Sequence, residues 1–118
     1  MMSLRYFHFF LNRDLLGLVL VLFLMVEGVT EIEFTVRGRV QMVMYRDFAK
    51  RKANGLKLTG FVKNNRDGSV TVLVQGQKDS LEKFEEYLKK GPLFAKVENI
   101  VKKEKPVERT YGGFEITY

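Results

Sequence analysis

Thr30-Glu31-Ile32-Glu33-Phe34-Thr35-Val36-Arg37, followed at once by Gly38-Arg39-Val40-Gln41-Met42-Val43-Met44-Tyr45-Arg46, is the stretch whose reading decides the fold. Its first half alternates strictly. Ile32, Phe34 and Val36 fall on one side, and Glu31, Glu33, Thr35 and Arg37 on the other. That is the pattern of a half-buried strand. From Tyr45 to Leu56 the period changes, and Phe48, Ala49, Ala53 and Leu56 recur at helical spacing. Asn54-Gly55 is expected to end this helix, since both residues tolerate the left-handed conformation of a C-terminal cap. A loop between strand and helix can turn backbone N–H groups toward an anion, and the helix start adds its own free N–H groups and a partial positive charge. Arg46 falls in the first helical turn, with a planar fork suited to two phosphate oxygens.

Beyond the helix, Leu58–Asn64 reads as a second strand, Asn65-Arg66-Asp67-Gly68 as a hairpin turn, and Val70, Val72 and Val74 as the buried side of a third strand. Asp79-Ser80-Leu81-Glu82 has the form of a capping box, with Asp79 at the cap and Glu82 reaching back. Leu81, Phe84, Tyr87 and Leu88 supply the buried stripe of a second helix, which Gly91-Pro92 stops. Ala95–Lys105 carries a fourth strand, and Phe114, Ile116 and Tyr118 alternate in a short last one. Two helices can cover only one face of such a sheet. The expected fold is an α/β (α+β) sandwich, ferredoxin-like β-α-β-β-α-β with an additional short C-terminal strand. A right-handed helical crossover makes the first two strands parallel, so both end on one edge of the sheet. With one strand between them, the 38–46 loop and Asn64 come within reach of a single water. The Asn64 amide can accept a hydrogen from that water but is no strong base. Asn65 is its rival for the same role.

Composition narrows the chemistry. The chain has 118 residues, 46% hydrophobic and 29% charged, which describes one globular domain rather than a disordered segment. There is no cysteine, which excludes disulfides, thiolate chemistry and cysteine-ligated metals. The single histidine, His8, lies in the N-terminal segment, so the body holds no histidine-based site and no metal ligand set is expected. The net charge of +6 comes from basic residues mixed with acids, and it suits a small anionic substrate. An RNA-binding sheet would want exposed aromatics on its central strands. Val70-Thr71-Val72-Leu73-Val74 offers none, so nucleic acid is not an expected partner.

The pairing of Gly38-Arg39-Val40-Gln41, Tyr45-Arg46 and Gly60-Phe61-Val62-Lys63-Asn64 with the Asp67-Gly68 turn resembles the acylphosphatases. These are small enzymes that hydrolyse the mixed anhydride of a carboxylate and phosphate. Gly91-Pro92, Ala95-Lys96-Val97 and Phe114-Glu115-Ile116-Thr117-Tyr118 extend the resemblance to the end of the chain. It implies a phosphate-binding loop formed by Gln41, Met42, Val43, Met44, Tyr45 and Arg46. It also implies Arg46 and Asn64 as the catalytic pair, Arg46 binding phosphate and Asn64 orienting water. Neither metal nor organic cofactor is implied; the partner is a small acyl phosphate and the expected state a monomer. Two positions depart from the family pattern. Met42 stands where the family usually has glycine, and Met44 where it often has glycine or phenylalanine. Glycine permits positive φ and close approach to a ligand, so the alternative is an acylphosphatase-like module that binds anions without turnover.

Residues 1–27 form an apolar segment distinct from the domain at 28–118. The run Leu15–Val26, broken only by Gly17, is too short for a spanning helix, which needs about 20 residues. Three origins fit it: a start upstream of a true one at Met25, a signal or short anchor, or an ordered extension. The first places the protein in the cytoplasm. Retention of residues 1–27 would instead favour membrane association or export.

Overall fold

The computed structural model describes Leu15, Val19 and residues 28–118. The expectations for the rest of residues 1–27 lie outside the described residues. Among the described residues no helix is long and apolar enough to cross a membrane.

The elements follow the expected order. They are β1 (Thr30–Arg39), α1 (Tyr45–Gly55), β2 (Thr59–Asn64), β3 (Val70–Gly76), α2 (Lys78–Lys90), β4 (Lys96–Lys105) and β5 (Phe114–Thr117). They build one five-stranded sheet in the order β4-β1-β3-β2-β5. β3 is antiparallel to both β1 and β2, β4 is antiparallel to β1, and β5 is parallel to β2.

The alternation in the strands decides which face is covered. Phe34 and Val36 from β1, Val62 from β2 and Val70, Val72 and Val74 from β3 are fully buried. They meet Tyr45, Ala49 and Ala53 of α1 and Leu81, Phe84 and Leu88 of α2 in one core. Phe84 packs edge-to-face on Phe34 and on Phe114, with ring centroids 6.5 and 6.2 Å apart, so the second helix is keyed to two strands at once. Tyr45 closes the helix layer. Its hydroxyl donates to the Leu88 carbonyl at 2.6 Å, joining the start of α1 to the end of α2. Burial pushes the Tyr45 phenol well above its usual pKa.

Three local expectations need correction. α1 does not end through a left-handed Asn54 or Gly55. The left-handed residue is Lys57, φ 59°. The Leu58 N–H bonds the Ala53 carbonyl at 2.9 Å and the Lys57 N–H that of Asn54 at 3.1 Å, the paired bonds of a Schellman turn. Burial of Leu58 beside Ala53 in the core sets where the chain reverses, and a lysine absorbs the strain. Nor does Asp79 cap α2. β3 runs to Gly76, so the helix must begin at Lys78 with Gln77 in the cap position and without a side-chain cap bond. Asp79 lies in the first turn and accepts from the Ser80 N–H at 2.9 Å. Finally, Tyr87 is not part of the buried stripe. It is 39% exposed, and its ring lies under the Lys52 ammonium at 4.3 Å.

Candidate active site

The sheet register brings the loop and Asn64 together. Val36 of β1 and Asn64 of β2 both pair with Val70, on its two sides. Both strands then leave the sheet at the same edge. Gly38 makes the exit possible, because its φ is +127° and a Cβ there would collide with the Lys96 carbonyl oxygen of β4. The β1–β4 register shifts between Arg37 and Gly38 at the same point.

The loop that follows has an unusual backbone. Met42 and Met44 have φ of 63° and 66°, the left-handed region that glycine enters freely. For methionine each costs roughly 1–2 kcal/mol. Left-handed residues at alternate positions favour a concavity of converging N–H groups, the backbone nest that takes anions. Met44 is also the N-cap of α1 and makes no side-chain cap bond. The first helical bond runs from the Phe48 N–H to the Met44 carbonyl at 3.0 Å. Among the described residues no backbone carbonyl takes the N–H groups of residues 41–46. The loop therefore takes the glycine-like conformation without glycine, and the Met42 side chain stands 100% exposed instead of blocking it.

An open cleft of about 520 Å³ lies at this edge, lined by Met42, Met44, Tyr45, Arg46 and Asn64, with Val40, Asp47, Ile116 and Tyr118. Two of the six loop residues turn elsewhere. Val43 packs against the core. Gln41 donates its amide hydrogens to the Asn65 and Ser69 carbonyls at 2.8 and 2.9 Å, tying the loop to the hairpin between β2 and β3. That tie was not readable from the sequence, where Gln41 enters only as a loop residue.

Within the cleft Arg46 has no carboxylate partner among the described residues. The nearest sequence candidate, Asp47, pairs with Arg51 at 3.0 Å instead. The Arg46 guanidinium lies over the Tyr118 ring, 4.9 Å from its centroid. Stacking fixes the plane of the fork and leaves its N–H donors unspent. Asn64 presents a buried Oδ1 with no hydrogen-bond partner among the described residues. A buried acceptor left unsatisfied costs about 1–3 kcal/mol, and no group of the described protein competes with a bound donor for this one. Asn65 has no such freedom: its amide donates to the Ser69 and Thr71 hydroxyls at 2.9 and 2.8 Å. Asp67 completes the hairpin by accepting from the Ser69 hydroxyl and N–H and from Arg37, and these contacts pull its carboxyl down to about 2. Among the described residues no group of three or more histidine, cysteine or acidic side chains is arranged to hold a metal.

Comparison with known proteins bears on the family and the fold. The acylphosphatase family profile matches residues 32–116. An acylphosphatase of Actinobacillus succinogenes is 40% identical over 84 residues, which are 71% of this chain and 93% of the relative. The crystal structure of acylphosphatase from Bacillus subtilis superposes with a TM-score of 0.74 at 37% identity, covering 75% of this chain and 99% of the other. Full-length HypF in a phosphate- and nucleotide-bound form superposes with a TM-score of 0.71 at 26% identity, over 76% of this chain and 12% of HypF. With the profile spanning most of its length and a close relative matched almost end to end, the chain belongs to the acylphosphatase family.

Proposed function

We propose that the protein hydrolyses acyl phosphates to a carboxylate and inorganic phosphate, with the 41–46 backbone and Arg46 holding the phosphoryl group and Asn64 orienting the attacking water. The observation that carries this reading is the buried, unpartnered Asn64 Oδ1 in the same cleft as an unpaired Arg46. An amide oxygen accepts a hydrogen from water and thereby points a lone pair of that water elsewhere. Held in line with the phosphorus, the water oxygen forms a new P–O bond as the bond to the acyl oxygen breaks. The electron pair departs with the carboxylate, and the water's proton passes to solvent. A carboxylate is already a good leaving group, so no strong acid is needed. Catalysis is positioning together with stabilisation of the charge spread over the equatorial oxygens. Residues of a single chain supply every group of this proposed reaction, so a monomer suffices for it without metal, organic cofactor or nucleic acid, and a membrane enters only if the N-terminal segment is retained.

The test is hydrolysis of acetyl phosphate by the folded chain in excess chelator and in water enriched in oxygen-18. The label is expected in phosphate. Label in acetate would place the attack at the carbonyl carbon and overturn the role given to Asn64. Phosphate binding without turnover would favour the anion-binding module instead.

A further inference from the structure

We infer that Met42 and Met44 form an acyl-binding rim, and that the substrates this chain handles best carry an extended apolar acyl group rather than acetyl; the inference rests on the acyl phosphate reading above. The cleft has two chemical halves. Arg46 and Asn64 mark the polar end, where a phosphoryl group sits. Met42, Met44, Val40, Ile116 and Tyr118 make the remainder mostly apolar. At about 520 Å³ the cleft falls within the range that accepts ligands much larger than acetyl phosphate.

The two methionines have no other account. Met42 is fully exposed and Met44 68% exposed, so neither buries its thioether in the fold. Both occupy left-handed backbone that costs methionine more than glycine. They therefore cost stability through strain and regain little through burial, at positions beside the proposed phosphate cradle. What their side chains can do is cover an apolar chain leaving the phosphoryl group, and a flexible, polarisable thioether adapts to chains of different shape. Such contacts lie far from phosphorus and are made equally before and during reaction. They appear in KM and in ligand affinity rather than in kcat.

The probes are two non-hydrolysable analogues in which CH₂ replaces the bridging oxygen: 2-oxopropylphosphonate for acetyl phosphate and 2-oxoheptylphosphonate for hexanoyl phosphate. A half-buried methylene contributes roughly twofold in affinity, so the longer analogue is expected to bind about tenfold tighter or more in calorimetry. The ratio of the two dissociation constants cancels any change in the phosphate cradle that both share. Met42→Gly, which relieves φ strain and so keeps the fold, is expected to lower that ratio about threefold. Met42→Leu is expected to keep it. Equal affinities for the two analogues, or an unchanged ratio in Met42→Gly, would overturn the rim. Turnover of acetyl phosphate is measured on the same samples. Its loss in the unmodified chain would sink the acyl phosphate reading, whereas turnover together with equal analogue affinities would sink the rim alone.

Discussion

At the residue scale, Arg46 and Asn64 are expected to fail in different ways. Arg46 is a ground-state ligand in the proposed site, through charge-assisted hydrogen bonds that contribute about 1.5–3 kcal/mol. Arg46→Ala is therefore expected to weaken inorganic phosphate binding, measured by calorimetry, along with turnover. In the proposed site Asn64 acts on the water instead. Asn64→Ala is expected to lower turnover about 10²–10³-fold while phosphate affinity stays close to that of the parent. Equal losses of phosphate affinity in both folded variants would contradict this division. Met42 allows a separate test on stability. Its φ of 63° favours glycine, and glycine's greater freedom in the unfolded chain offsets part of the relief. Met42→Gly is expected to gain about 0.5–1 kcal/mol in urea unfolding. A loss would show that the methionine packs in a way its full exposure does not reveal.

At the scale of elements, the hairpin between β2 and β3 is what holds Asn64 opposite the loop. Gln41 fastens it from the loop side through two hydrogen bonds, and Asp67 from within through Ser69 and Arg37. Gln41→Ala is expected to cost about 1–2 kcal/mol and to reduce turnover more than phosphate affinity, because it frees the hairpin that carries the water-positioning amide. Parallel losses in the two measurements would mean that Gln41 shapes the cradle alone. Asp67 predicts an acid limit. Its folded pKa of about 2 lies below the usual 3.8, chiefly through the Ser69 hydroxyl and N–H and then through Arg37. A depressed carboxylate contributes stability that is present above the unfolded value and lost as pH falls through the folded one. The hairpin contacts should therefore persist at neutral pH and weaken between about 4 and 2. Carboxyl NMR of Asp67 should titrate near 2, and a midpoint at the usual 3.8 would show the contacts to be absent in solution.

For the whole molecule, the described fold is complete within Thr30–Thr117, since every strand and both helices of the sandwich lie there. Among the described residues the core cluster begins at Ile32. Deleting residues 1–24 is accordingly expected to leave thermal stability and acetyl phosphate turnover unchanged, and to improve solubility by removing an apolar run. A clear fall in melting temperature would show that the segment packs on the domain.

Much of this was legible in the sequence because it depends on period and order. Alternation in Thr30–Arg37 and in Val70–Val74 set which residues face the helices. The β-α-β order with a right-handed crossover put residues 38–46 and Asn64 on one edge, and the shared pairing with Val70 is that topology realised. What the sequence could not decide were events governed by neighbours far along the chain. The left-handed turn after α1 falls on Lys57 rather than on Asn54 or Gly55 because Leu58 is drawn into the core, and α2 starts at Lys78, directly after the Gln77 cap that follows β3. Asn65 is held away from the proposed role because its amide donates to Ser69 and Thr71, which leaves Asn64 as the residue proposed to orient water. Arg46 has no carboxylate partner among the described residues, Asp47 reaching Arg51 instead, and its plane is set by Tyr118, far along the chain but adjacent in the fold. Local pattern and connectivity therefore determined the architecture and the place of the site. Only tertiary structure decided which polar groups are left without partners there, because that depends on contacts between residues the sequence keeps apart.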